Sequence, residues 1–86
     1  MATPDEIRPL VLQFANQPNS GFASPGDNIH ATITPTLSSL ADFDGFVVRL
    51  ESAMQQGGAA FLAVPQELIN CITWNNLVTQ IALNQP

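Results

Sequence analysis

Eighty-six residues give one domain at most. A chain of this length buries only about 60–65% of the surface its unfolded form exposes, so its core is one modest cluster. Charged residues are 10% of the chain, against about 25% in an average domain, and Arg8 and Arg49 are the only strong cations against a net charge of −5. That balance takes away the electrostatic basis for binding nucleic acid or an anionic membrane and leaves a basic protein surface as the natural partner.

The first predicted element opens at Thr3-Pro4-Asp5-Glu6. Thr3 suits the cap, Pro4 the first helical position, and Glu6 completes a capping box. Ile7, Leu10, Val11 and Phe14 then recur at i, i+3, i+4 and i+7, one buried stripe of a helix. Pro9 predicts a distorted turn within it, and Asn16-Gln17-Pro18-Asn19-Ser20-Gly21 ends it. Residues 17–37 carry Pro18, Gly21, Pro25, Gly26 and Pro35 without helical periodicity, which predicts a long first loop. Ile29, Ala31 and Ile33 alternate, but no pairing partner of similar length is present, so the expectation is an extended loop with buried anchors. His30 in that loop reads as exposed or locally hydrogen-bonded, with no other metal ligands near it.

The second helix is expected from Asp42 or Asp44, either of which can cap, to about Gln56. Phe43, Val47, Leu50 and Met54 mark its face, Phe46 and Ala53 lie beside it, and Gly57-Gly58 stops it. The apolar run Ala59 to Val64 fits a short strand, a helical turn or a loop equally well. It is too short to span a bilayer. Pro65-Gln66-Glu67-Leu68 starts a short third helix carrying Leu68, Ile69 and Ile72. Thr73 caps a last helix with Trp74, Leu77, Val78 and Ile81 on one stripe, and Asn84-Gln85-Pro86 is a frayed end. These stripes must bury one another, which gives an all-α chain: a four-helix bundle with a short third helix, in one domain over residues 1–86.

Cys71 stands alone, so it forms no intramolecular disulfide and reads as a small core residue. Neither a catalytic constellation nor a metal-ligand set is spelled out, so the expectation is a protein that is not an enzyme and binds no metal. No basic segment followed by a long apolar run opens the chain, and a cytoplasmic location is expected.

The order helix, long loop, helix, short helix, helix resembles the acyl and peptidyl carrier proteins from about Pro4 to Leu83. "TLSSLADFD" is similar to the family's Leu-Gly, one residue, Asp-Ser stretch. Leu40 and Ala41 stand for Leu-Gly, Phe43 for the Asp and Asp44 for the modified serine, with Gly45 at the following Leu. Leu50 and Met54 fall where the family's second helix buries apolar residues. "VPQELINCITWNNLVTQI" resembles the closing segment, with Pro65 opening the third helix and Thr73, Trp74 and Leu77 the fourth. In a second register Ser39 takes the serine position.

The resemblance implies a carrier of acyl or peptidyl intermediates in fatty-acid, polyketide or peptide synthesis. In that family a serine hydroxyl bears 4'-phosphopantetheine through a phosphodiester, and the arm holds its cargo as a thioester. Asp44 has no hydroxyl, so the attachment site is a variant one at Asp44 or Ser39, or the arm is lost and the fold serves as a docking or regulatory module. The resemblance further implies docking on biosynthetic enzymes through Asp42, Gly45, Val48 and Glu51 of the second helix, with Arg49 interrupting its acidic charge, and a monomeric protein.

Overall fold

Helix starts that are signalled within four residues form where those signals stand. The computed structural model describes residues 3–58 and 65–84. Helix α1 spans Pro4–Ala15: the Glu6 N–H donates to the Thr3 hydroxyl and the Thr3 N–H to the Glu6 carboxylate, closing the capping box. The helix runs through Pro9, so the expected distortion does not interrupt it. Pro9 leaves the Asp5 carbonyl without its helical donor, and both residues are exposed.

At the C-cap, Asn16 holds the first loop. Its side-chain amide donates to the Gly26 carbonyl and its oxygen accepts from the Gly26 N–H, both at 2.9 Å, while the Ser24 hydroxyl donates to the same oxygen. The loop then enters the core through Ile33, fully buried, and the half-buried Phe22, Ile29 and Ala31. The alternation at 29–33 finds its backbone partners in the turn that leads into the last helix. Ile33 N–H donates to Ile72 O (2.8 Å), Trp74 N–H to Ala31 O (3.2 Å) and Asn75 N–H to Ile29 O (2.8 Å), around a single antiparallel bridge between Thr32 and Thr73. His30 is exposed on this segment.

Helix α2 spans Phe43–Gln56 and buries Phe46, Val47, Leu50 and Met54. It ends on two glycines with different reasons for being glycine. Gly57 has an ordinary φ of −81°, but a Cβ there would run into the Leu10 side chain of α1. Gly58 has open space around it and a φ of +84°, which L side chains rarely adopt. Helix α3 is Pro65–Leu68, and α4 is Trp74–Leu83, capped by Thr73 in a second capping box closed by Asn76. Leu68 is buried, but α3 ends there. Ile72, expected on its buried stripe, lies instead in the turn before α4 and is 64% exposed.

Helix α1 packs against both α4 and α2, and their stripes close one cluster with Ile33, Leu37, Leu68 and Cys71. Each large apolar side chain buried there contributes about 1.5–3 kcal/mol. Aromatic rings run through its middle: Phe14 meets Phe46 (centroids 6.0 Å apart), and Phe22 meets Phe46 (5.4 Å) and Trp74 (5.2 Å) edge-on. Phe22, a loop residue, has no periodic pattern to announce it. Trp74 is fully buried, and its indole N–H has no hydrogen-bond partner among the described residues.

The protein is thus a small, compact, all-helical globule with no strand among the described residues. Its Cα radius of gyration is 11.4 Å, near the ~12 Å of folded chains this long. The reading of residues 59–64 lies outside the described residues, as do Gln85 and Pro86. Asn84, expected to fray, is tied down: its side-chain amide donates to Gln80 O (2.9 Å) and to the Glu67 carboxylate (3.1 Å).

Candidate docking face and attachment position at the start of the second helix

Before α2 the chain makes a single 3-10 turn, Leu37–Ser39, pinned by the buried Leu37. Ser39 is exposed, and its hydroxyl is already engaged: it donates to the Thr36 carbonyl at 2.8 Å and accepts from the Thr36 hydroxyl at 2.9 Å. The spacing Thr36-x-x-Ser39 is the sequence signal for this small hydroxyl knot. Leu40 then leads half-buried toward the helix.

Asp42, not Asp44, is the N-cap. Its carboxylate accepts from the Gly45 N–H at 3.0 Å, and its carbonyl accepts from the Phe46 N–H at 3.1 Å. Gly45 makes room for this: a Cβ there would collide with the Asp42 carboxylate. Phe43 lays its half-buried ring against Phe46, with centroids 5.7 Å apart. Asp44 is exposed in the first turn and has no hydrogen bond or ion pair among the described residues. A carboxylate is favourable there, where unpaired N–H groups give the helix end partial positive charge.

Helical spacing puts Asp44, Val48, Glu51 and Gln55 along one outer face. Val48 is 64% exposed in the middle of it, and the Gln55 amide donates to Glu51 at 3.4 Å. Asp42 and Gly45 lie at its upper end. Arg49, expected to interrupt the acidic face, is drawn off it. Its Nη1 donates to the carbonyls of Ser20 (3.2 Å) and Asn19 (3.5 Å), and its Nε to Gly45 O (3.4 Å). Sequence gives no sign of that reach, because the two carbonyls lie about thirty residues away along the chain.

The residues at Asp44 do not fit a phosphopantetheine arm: there is no hydroxyl to form the phosphodiester, and the carboxylate repels the incoming phosphate. Ser39 fits chemically, being an exposed hydroxyl, and an arm there would hold cargo as a thioester. Cys71, by contrast, is a buried thiol pointing its hydrogen at the Glu67 carbonyl (3.7 Å), and burial pushes its pKa up to about 11, away from reactivity. Among the described residues, no three His, Cys, Asp or Glu side chains gather into a metal site, and no helix is long and apolar enough to cross a membrane. Comparison with protein families, curated proteins and solved structures finds no match to the chain.

Proposed function

We propose that the chain is a carrier-type protein, a four-helix bundle of acyl-carrier kind with a long first loop and a short third helix. It works by docking on enzymes of acyl or peptidyl assembly through the outer face of α2. The observation that carries this reading is the exposed carboxylate of Asp44 at the helix start, followed along the same face by Val48 and Glu51. A short acidic stripe around one exposed valine suits a basic surface with an apolar socket. Asp44 cannot accept the arm, so the domain acts as an armless docking or regulatory module. A tethering carrier modified at Ser39 is the second reading, and the exposed hydroxyl of Ser39 favours it.

The test is the intact mass after incubation with a broad-specificity phosphopantetheinyl transferase and coenzyme A. The docking module gains no mass. A gain mapped by peptide digestion to Ser39 overturns it in favour of the tethering carrier. Reversing charge with Asp44→Lys and Glu51→Lys then weakens binding to a carrier-dependent synthase at low salt under either reading. Unchanged binding sinks the docking face itself.

A further inference from the structure

Away from the Asp44 face, the seam between the last turns of α1 and the second half of α2 holds two adjoining depressions of about 230 and 250 Å³. They share Phe14, Gln17, Ala53 and Gln56. Leu10 and Ala53, both half-buried, supply this groove's accessible apolar lining, and the Gln17 and Gln56 amides and Ser52 hydroxyl give it neutral hydrogen-bonding walls. Arg49 closes one end. Arg8 is spent in an ion pair with Asp5 at 3.0 Å, which leaves Arg49 the one strong cation with no carboxylate partner among the described residues. Its guanidinium is not loose. The carbonyls of Gly45, Asn19 and Ser20 hold its Nε and Nη1, while Nη2, with two hydrogens, has no partner among the described residues.

Backbone carbonyls orient a guanidinium without neutralising it. A guanidinium fixed beforehand loses little freedom when an anion arrives, and Nη2 is left to donate a charge-assisted hydrogen bond to a carboxylate oxygen. We propose that this groove binds a small organic monocarboxylate, its carboxylate on Arg49 and its uncharged body over Ala53 and Leu10. One charge is the limit, because a net charge of −5 opposes more highly charged anions such as phosphates. Each depression is below the ~300–1,000 Å³ of drug-sized ligand sites, so the acid is small. The site is independent of the carrier reading, since it uses neither Asp44 nor Ser39.

The probe is hexanoate, with hexanamide as its uncharged counterpart, in a nitrogen–proton NMR titration of the full chain at low salt. Hexanoate gives saturable shifts at the Arg49 Nε–H, the Gln17 and Gln56 side-chain amides and the Ser52 N–H. Hexanamide binds at least roughly tenfold more weakly, the loss expected for one charge-assisted hydrogen bond. Arg49→Gln lowers hexanoate affinity by a similar factor, but it also removes the tie to residues 19–20. Ser52→Asp therefore serves as the second variant: this exposed position is three residues along α2 from Arg49 and supplies the carboxylate in place, suppressing hexanoate binding while the rest of the spectrum is kept. Equal binding of hexanamide, shifts that rise without saturating, or full hexanoate affinity in Ser52→Asp would each overturn the proposal.

Discussion

The starts of α2 and α4 are built alike and used differently. Both have a side-chain cap three residues before a backbone donor, Asp42 to Gly45 and Thr73 to Asn76. At α4 the cap is locked in place: its helix begins on the fully buried Trp74, and three backbone hydrogen bonds from residues 29–33 and 72–75 bind the turn to the first loop. At α2 the next residues are the half-buried Phe43 and the exposed Asp44, and the carboxylate faces water. One helix start is a structural joint and the other is an available surface.

The division can be broken most forcefully at Trp74. Trp74→Ala should cost about 3–5 kcal/mol in urea unfolding, a large part of the ~5–15 kcal/mol that holds a typical domain together. Leu50→Ala, fully buried on the inner face of α2, should cost about 2–5 kcal/mol. A loss below about half a kcal/mol at Leu50 would mean that α2 is rotated from the phase described.

The next effect is on the α4 side and is driven by pH. Burial raises the Cys71 pKa from 9.0 in the open chain to about 11 in the folded one. Between those values the unfolded state releases a proton that the folded state keeps, so stability is full below pH 9 and falls as pH rises toward 11. The loss is on the order of 2 kcal/mol. The chain has neither tyrosine nor lysine, the residue types whose ordinary pKa falls in that window. Cys71→Ala should flatten the pH profile between 9 and 11 in chemical denaturation, and a slope that survives the substitution refutes the assignment.

Smaller effects sharpen the comparison. Thr73→Ala and Asp42→Ala each remove a cap, with an expected loss of about 1 kcal/mol apiece. The Thr73 loss should be the larger, because its turn also anchors the first loop, and native-state hydrogen exchange should then speed up at the Ile33 amide. The smallest effect is at Asp44. Asp44→Asn should change stability by less than about 0.5 kcal/mol, the remainder of a first-turn charge in water. A larger loss would show that Asp44 is bonded into the fold and not left for a partner.

Much of this was legible because its causes are local. The Thr3–Glu6 box, the Thr73 cap, the Gly57-Gly58 stop and the core stripes each follow from residues within two helical turns. What escaped depends on distant chain. The alternation at 29–33 had a partner, but a turn and not a strand. Phe22 entered the core from a glycine-flanked loop where no periodicity operates. Ile72 was placed on a stripe that ended four residues too early for it. At the candidate site, Asp44 and Val48 were singled out by the resemblance to carrier proteins, while the choice of Asp42 as cap turned on Gly45 leaving space for its carboxylate. The withdrawal of Arg49 from the acidic face was invisible, since its acceptors are backbone carbonyls that no side-chain pattern encodes.

The two glycines that close α2 bear on how this chain can drift. Gly58 is constrained by handedness, so a D-alanine introduced there by chemical synthesis should be accepted, and L-alanine resisted. Gly57 is constrained by a neighbour, and handedness gives it no relief. A side chain at 57 demands that Leu10 on α1 swing away or shrink. Positions 10 and 57 therefore form a coupled pair across the helix seam. Alanine at 57 is accepted only where Leu10, whose outer carbons it meets, swings aside, and a smaller residue at 10 removes the need for that movement.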